Sequence, residues 1–514
     1  MKRRSSKPVF KAYNPDQMSL LPPSLEELIP PNHVVRVVRQ VIDQLNIDSI
    51  IKKYKGGGTS SFHPRMMLKL LVYGYLSNIY SSRKLEQAAA SNIYFMWLIG
   101  MQRPDHNTIN RFRSDRLKGV LKEVFSQVVV LMADQGLLNI KTIYVDGTKL
   151  EANANKYTFV WGKAIKRNKE RIKKQLEELW AYAETVAKEE LMDNDPTTYE
   201  EIDSEKVSKT IASINEALKD KEVDKKIKQK LNYGKKEWPK NLTKYKAQQD
   251  ILDGRNSYSK TDPDATFMRM KDDPMRNGQL KAAYNLQIST SNQYIVNYDI
   301  YQNATDFRTL PSHLNQYSSL YGQSPDVVVA DSGYGSEENY EYLQQAQIEA
   351  YVKYPGFHKE QKAKGKIKPK EVFYSQHLYY NEQEDYYICP MGQRMEKLYE
   401  GKTVKPSGFI QRASFYQAQR CEGCPLRGAC HKSKTNRIIQ INYNRKKHRQ
   451  KARAQLTSEQ GLAHRSQRPV DVEAVFGNIK QNKKFTRFML RGKDKVLIET
   501  GLLALAHNLA KMAN

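Results

Sequence analysis

Three acidic residues stand where a carboxylate could do chemistry: Asp146 in TIYVDGTK, Asp331 in DVVVADSGYG and Glu473 in DVEAVFGNIK. Carboxylates brought together would hold hard divalent cations, which prefer oxygen ligands. Asp beside Gly is also ordinary turn chemistry, so Asp146 and Asp331 each have a structural explanation when taken singly. The surroundings of Glu473 are more specific. Helical spacing makes Val472, Val475, Phe476 and Ile479 a core face and sets Glu473, Gly477 and Lys480 close together on a neighbouring stripe. That stripe presents a carboxylate, a gap and a cation.

The four cysteines form a second group, spaced C-x31-C-x2-C-x5-C as Cys389, Cys421, Cys424 and Cys430. A C-x2-C pair with two further thiols suits a tetrahedral structural zinc site. Free reduced thiols and an iron–sulfur cluster are the alternatives. In each case the role is structural, and the clustering does not suit a disulfide framework spread through a secreted chain. The run KGGGTSS, from Lys55, has a phosphate-loop look but lacks the G-K-[ST] ending, so it is expected to be a turn, and no nucleotide cofactor is implied. His106, His464 and His507 stand singly in helical contexts and are expected to be polar surface or core residues rather than ligands.

The elements that must position these groups can be read from periodicity. Asp146 lies on an alternating strand, with Ile143 and Val145 on one face and Tyr144 and Asp146 on the other, opposite the core. Asp331 ends a short buried strand, with Gly333 and Gly335 beyond it and a helix after Ser336. Strands are expected at KAAYNLQIST and YIVNYDIYQN, joined by a hairpin turn at Ser291 and Asn292. Before Asp146, apolar residues recur at three and four, which predicts a helical segment over 1–138. Within it, SSRKLEQAAA and DHNTINRFRSDRLKGV form a helix pair in which Asp105 caps the second helix and Arg111, Arg113 and Arg116 decorate it. That pair either reads DNA through its arginines or simply packs. A highly charged helical insertion is expected over 164–253 and a Cys- and Tyr-rich one over 357–453, both interrupting a segment of mixed strands and helices over 139–514. The charged insertion suits contact with DNA, pairing of two protomers, or a solvated helix pair.

With 514 residues, 39% hydrophobic and 27% charged, the chain is globular and too long for one ordinary domain. Its formal charge of +28 calls for a polyanionic partner, because self-repulsion of that size opposes compaction. From Lys432 onward there are 19 Lys plus Arg against five Asp plus Glu, so the partner is expected across the C-terminal part. No stretch reaches the length of a membrane helix, and the basic start leads into polar sequence, so a soluble intracellular protein is expected.

Together these segments resemble the DDE transposases of bacterial insertion sequences, in particular the eleven-eighty-two group, over nearly the full chain. The match rests on Asp146 in YVDGTKLEANANKYTFVW, Asp331 in VVADSGYGSEENY, and Glu473 in VEAVFGNIK with Lys480 seven residues on. The resemblance implies an RNase H-like mixed sheet flanked by helices (α+β or α/β), preceded by the helical segment. It also implies two Mg²⁺ or Mn²⁺ ions about 4 Å apart, clamping the attacking and leaving oxygens of a phosphodiester. Asp146 would bridge both ions, and Asp331 and Glu473 would each complete one shell. Double-stranded DNA, as transposon ends and target, is the implied substrate, with a homodimer pairing two ends and the bacterial cytoplasm and nucleoid as the place. Relatives often carry a Tyr and an Arg at set distances before the Glu, where this chain has Ser466 and Pro469; Arg465 and Arg468 are the nearby substitutes. Lys480 would hold a DNA phosphate. A nuclease that cuts without joining, or a transposase-derived DNA-binding repressor, are the rival readings.

Overall fold

The computed structural model describes residues 24–54, 61–187, 191, 202–270, 278–363 and 371–513. The basic start, the glycine run after Tyr54 and most of the acidic break in the first insertion lie outside the described residues. A mixed sheet forms the centre. Its strands are β1 (Thr142–Glu151), β4 (Thr266–Arg269), β5 (Leu280–Ser291), β6 (Tyr294–Tyr301), β7 (Val327–Ala330) and β8 (Glu349–Val352), while β2 (Phe159–Trp161) and β3 (Ser257–Ser259) make a separate ribbon. The path β4-β5-β1-β7-β8 carries β6 as a further partner of β5. Strand β5 is antiparallel to β1 and β6, whereas β7 and β8 run parallel to β1 and to each other. The β5–β6 turn is made by Asn292 and Gln293, one residue later than expected, and both take the positive φ (51° and 62°) that a tight two-residue hairpin demands.

Apolar periodicity governs the helices. Helix Val34–Gln44 buries Val35, Val38, Val41 and Ile42, and Leu121–Asp134 buries its stripe from Leu121 to Met132. The last helix, Lys493–Met512, is buried almost all round because it packs on helix Pro64–Leu76 on one side and on β6 on the other. It therefore joins the N-terminal helices and the sheet into one continuous core. Glu499 is the polar rivet of that junction. Its carboxylate accepts from the Tyr75 hydroxyl (3.0 Å) and from the backbone N–H groups of Met489 (2.9 Å) and Leu490 (2.8 Å). Arg113 completes the junction by donating to the Tyr75 hydroxyl and the Tyr80 carbonyl.

The two inserted stretches have cores of their own. The charged one folds as helices Gly162–Val186, Ser204–Ala217 and Lys225–Leu252 around Leu179, Ile211, Ile214 and Trp238. The cysteine-bearing one contains an antiparallel sheet of β9 (Tyr380–Asn381), β10 (Tyr386–Ile388), β11 (Arg394–Val404), β12 (Ile410–Ala418) and β13 (Ile438–Ile441), centred on Tyr387, Met395 and Tyr416.

Helix Leu310–Tyr321 covers β5 and β6 and brings a fully buried His313 against the Ser289 hydroxyl (2.7 Å). Burial lowers the pKa of its ring from 6.5 to about 3. Between those values the unfolded chain binds a proton that the folded chain refuses, so stability is full above the unfolded pKa and falls as pH drops toward the folded one. Thermal melts should therefore show a Tm that declines from pH 7 to pH 5, and His313→Gln should flatten that slope by up to about 1.4 kcal/mol per pH unit. An unchanged slope in the variant would show that His313 is not the group responsible.

Candidate active site

The parallel pairing of β1 and β7 sets the first two carboxylates side by side. Val145 is in register with Ala330, the last residue of β7, so Asp146, inside β1, and Asp331, just past β7, lie at the same level. Asp146 Oδ1 accepts from the Gly147 backbone N–H (2.8 Å), and Asp331 Oδ1 accepts from that of Gly333 (2.7 Å). The expectation that Asp146 lies on an open face is corrected here. Tyr144 and Asp146 are as buried as their opposite-face neighbours, at 7% and 6% exposure, because the segment around Pro469–Glu473 covers that side of the sheet.

Glu473 comes from that covering segment, and its placement depends on a helix irregularity. Helix Glu459–Arg468 ends at Pro469, which has no N–H to continue the i→i−4 ladder. The chain instead makes a wide turn over Pro469–Glu473, in which the Ala474 N–H reaches the Pro469 carbonyl. In a regular α-helix, positions five apart are about 140° out of line. The wide turn reduces that offset, and Arg468 Nη1 donates to Glu473 Oε1 at 2.9 Å. Its other terminal nitrogen, Nη2, donates to Asp146 Oδ2 at 2.8 Å. One guanidinium thus bridges the first and third carboxylates. Val472, Val475, Phe476 and Ile479 are buried as the spacing predicts, and a second wide turn over Asn478–Asn482 places a half-buried Lys480 beyond them.

Two neighbours sense these acids in pairs. Lys353, at the end of β8, has its ammonium pKa lowered by burial and by Arg468 and Arg465, and raised by Asp331 and Glu473. The fully buried Tyr334 has its phenol pKa pushed far up by burial, with Asp306, Asp146 and Asp331 adding to the effect. As placed, the acids do not make a ready ligand shell: among the described residues no group of three His, Cys, Asp or Glu is close enough to hold an ion. The Arg468 guanidinium stands between two of them and supplies the positive charge. Its Nε is buried without a partner, so the bridge is only partly satisfied. Hard carboxylate oxygens from β1, the end of β7 and a helix fit Mg²⁺ or Mn²⁺ in donor type.

Other site expectations fare differently. Arg113 is 3% exposed and spent on the Glu499 junction, so its expected place on a DNA-facing surface is corrected: the wide turn at Phe112–Arg116 rolls it into the core. Arg111 remains exposed on helix His106–Arg111, which Asp105 caps through the Thr108 N–H as expected. Arg465 donates to the Leu456 carbonyl and lies over the Phe357 ring, so it is half-buried in packing. His464 shares a hydrogen bond with the Tyr144 hydroxyl (3.1 Å), and His507 lies in the core.

The four cysteines are free and border one cavity of about 20 Å³. The zinc expectation is not supported. Cys430 Sγ accepts from the Arg437 guanidinium (2.9 Å) and Cys421 Sγ from the Arg437 backbone N–H (3.3 Å). Among the described residues no group of three His, Cys, Asp or Glu there could hold an ion.

Spacing gave no signal for Asp306, Asn285 and Gln287, which adjoin the site from β5 and the loop after β6. Arg468→Ala should strip Asp146 of its buried partner and destabilise the protein by about 3 kcal/mol in EDTA. Millimolar Mg²⁺ or Mn²⁺ should recover part of the lost Tm by replacing that charge. Equal losses with and without metal would show that the acids do not share a cation.

Two family models match the chain. One, described as a Transposase DDE domain, covers residues 388–513 and so includes Glu473, with Asp146 and Asp331 outside it. The other, described as a Transposase domain (DUF772), covers residues 23–115. No curated protein and no solved structure matches.

Proposed function

We start from a DDE transposase of the insertion-sequence type, which the two matched segments support, and propose that it cuts and joins DNA at the ends of a mobile element through Asp146, Asp331 and Glu473. The single observation that supports this reading is the link between the acids through strand level and the Arg468 guanidinium. Asp146, within β1, and Asp331, just past the end of parallel β7, lie at one level, and Glu473 is tied to Asp146 through Arg468. The strand order, with β5 antiparallel and β7 and β8 parallel to β1, supports an RNase H-like sheet. The eleven-eighty-two group remains the proposed affiliation.

Divalent ions held by these carboxylates would supply charge for both the attacking and the leaving oxygen of the phosphodiester. The chain's own contribution is placement. Burial of Asp146 beneath the Pro469–Glu473 segment excludes water from one side, so a charge there acts through a low effective dielectric. The more exposed Glu473 faces the approaching strand, with 55% of its side chain accessible. Lys480 and Arg111 are proposed phosphate contacts, since phosphate binding by such cations positions the duplex without reading sequence. The basic C-terminal part gives the same polyanion a long-range attraction. A homodimer pairing two DNA ends is part of the proposal. Among the described residues no helix is long and apolar enough to cross a membrane.

The test is a cleavage and strand-transfer assay with the element's own ends. Asp146→Ala, Asp331→Ala and Glu473→Gln should each lower Mg²⁺-dependent cleavage by at least about 100-fold, as expected when an electrostatic contributor to the transition state is lost. Pre-cut ends should be joined to target DNA by the wild type; cleavage without joined product would instead identify a nuclease. Unchanged cleavage in Asp146→Ala would overturn the assignment. Lys480→Ala should weaken DNA binding almost uniformly across sequences and reduce the dependence of log K on log salt by about one.

A further inference from the structure

A fourth carboxylate adjoins the site from a part of the chain that none of the three acids occupies. Asp306 lies after β6, at the entry to helix Leu310–Tyr321. Its Oδ1 accepts from Asn285 Nδ2 and from Gln287 Nε2, each at 2.7 Å. Both amides project from β5, and they are 1% and 0% exposed. They cannot pivot freely, because Gln287 Nε2 also donates to Asn285 Oδ1 (2.9 Å) and Gln287 Oε1 accepts from the buried Tyr334 hydroxyl. The carboxylate is therefore clamped through one oxygen.

Two glycines show where the clamped group lies. Gly147 pairs with Gln287 across β1 and β5, and a methyl group there would stand 2.1 Å from Gln287 Nε2 and 2.8 Å from Asp306 Oδ1. A methyl group at Gly333 would stand 2.9 Å from Asp331 Oδ1 and 3.4 Å from Asp306 Oδ2. Asp306 thus lies close against Gly147, the residue that follows Asp146, with its second oxygen on the side of Gly333. Among the described residues neither Asp306 nor Asp331 is in an ion pair, and Arg468 serves Asp146 and Glu473. Holding another carboxylate beside these acids with neutral amides raises the local repulsion, and a bound cation is what offsets it.

We propose that Asp306 is a positioning residue of the ion site: the Asn285–Gln287–Tyr334 network fixes its carboxylate against the Gly147 backbone beside Asp146, where its charge would strengthen divalent-ion binding. This rests on the proposed role of Asp146, Asp331 and Glu473.

Mn²⁺ titrations of the full chain without DNA, followed by electron paramagnetic resonance, test it against wild type, Asp306→Asn, Asp306→Glu and Asp146→Ala. Asp306→Asn should weaken Mn²⁺ binding by about 10-fold or more, a typical loss for a group that supports the ligands. Asp306→Glu should bind within a few-fold of wild type. In EDTA the Asn variant should melt no lower than wild type, since it removes a like charge and keeps an acceptor for the two amides. Mn²⁺ binding that Asp146→Ala abolishes but Asp306→Asn leaves intact would overturn this proposal alone. So would an Asn variant that melts well below wild type in EDTA and binds Mn²⁺ normally, which would mark Asp306 as structural. Wild-type binding insensitive to Asp146→Ala would overturn the functional reading, and this proposal with it.

Discussion

The Arg468 guanidinium between Asp146 and Glu473 ties a buried strand to the helical segment that covers it. Both Asp146 and Arg468 are nearly buried, at 8% and 7% side-chain exposure, so neither charge is tolerable there without the other. Their pairing constrains the backbone on both sides. β1 must present Asp146 at the level where β7 ends, and the covering helix must break its regular turn at Pro469 so that Arg468 and Glu473 share a face. A residue that cannot continue an α-helix thus becomes the device that aligns the acids.

Close approach in the sheet is the second constraint. Gln287 and Asp306 lie this close to β1 only because Gly147 has no side chain. The amide network on β5 is satisfied among its own members and buried, the condition under which polar groups inside a core add rigidity. Behind the sheet, the last helix closes the N-terminal helices and β6 into one core, with Glu499 satisfying backbone donors that would otherwise be orphaned. The part of the chain matched by the transposase domain over residues 23–115 is therefore packed on the same core as the acids.

Much of this was legible in local pattern. The apolar stripes of the N-terminal helices, the strand through Asp146, the strand that ends just before Asp331, the Asp105 cap and the core face of Val472, Val475, Phe476 and Ile479 all follow from periodicity and capping chemistry, which act over a few residues. The misreadings share a cause. Arg113 was placed on a surface, and Arg468 was only a nearby substitute for an expected Arg, because wide turns at Phe112–Arg116 and Pro469–Glu473 shift the helical phase in a way that 3.6-residue spacing does not anticipate. Asp306, Asn285 and Gln287 gave no signal, since single polar residues in strands and loops are common and their meaning lies in what they face.

By itself the sequence determined which acids could act, the elements that carry them and the strong positive charge that invites a polyanion, because these depend on residue type and on neighbours a few positions away. The tertiary structure decided that Asp146 is buried, that Arg468 holds it to Glu473 and that Asp306 lies against Gly147. Those facts depend on strand register, helix phase and the space left by glycines, which are set by contacts between residues hundreds of positions apart and exist only once the sheet has closed under its covering helix.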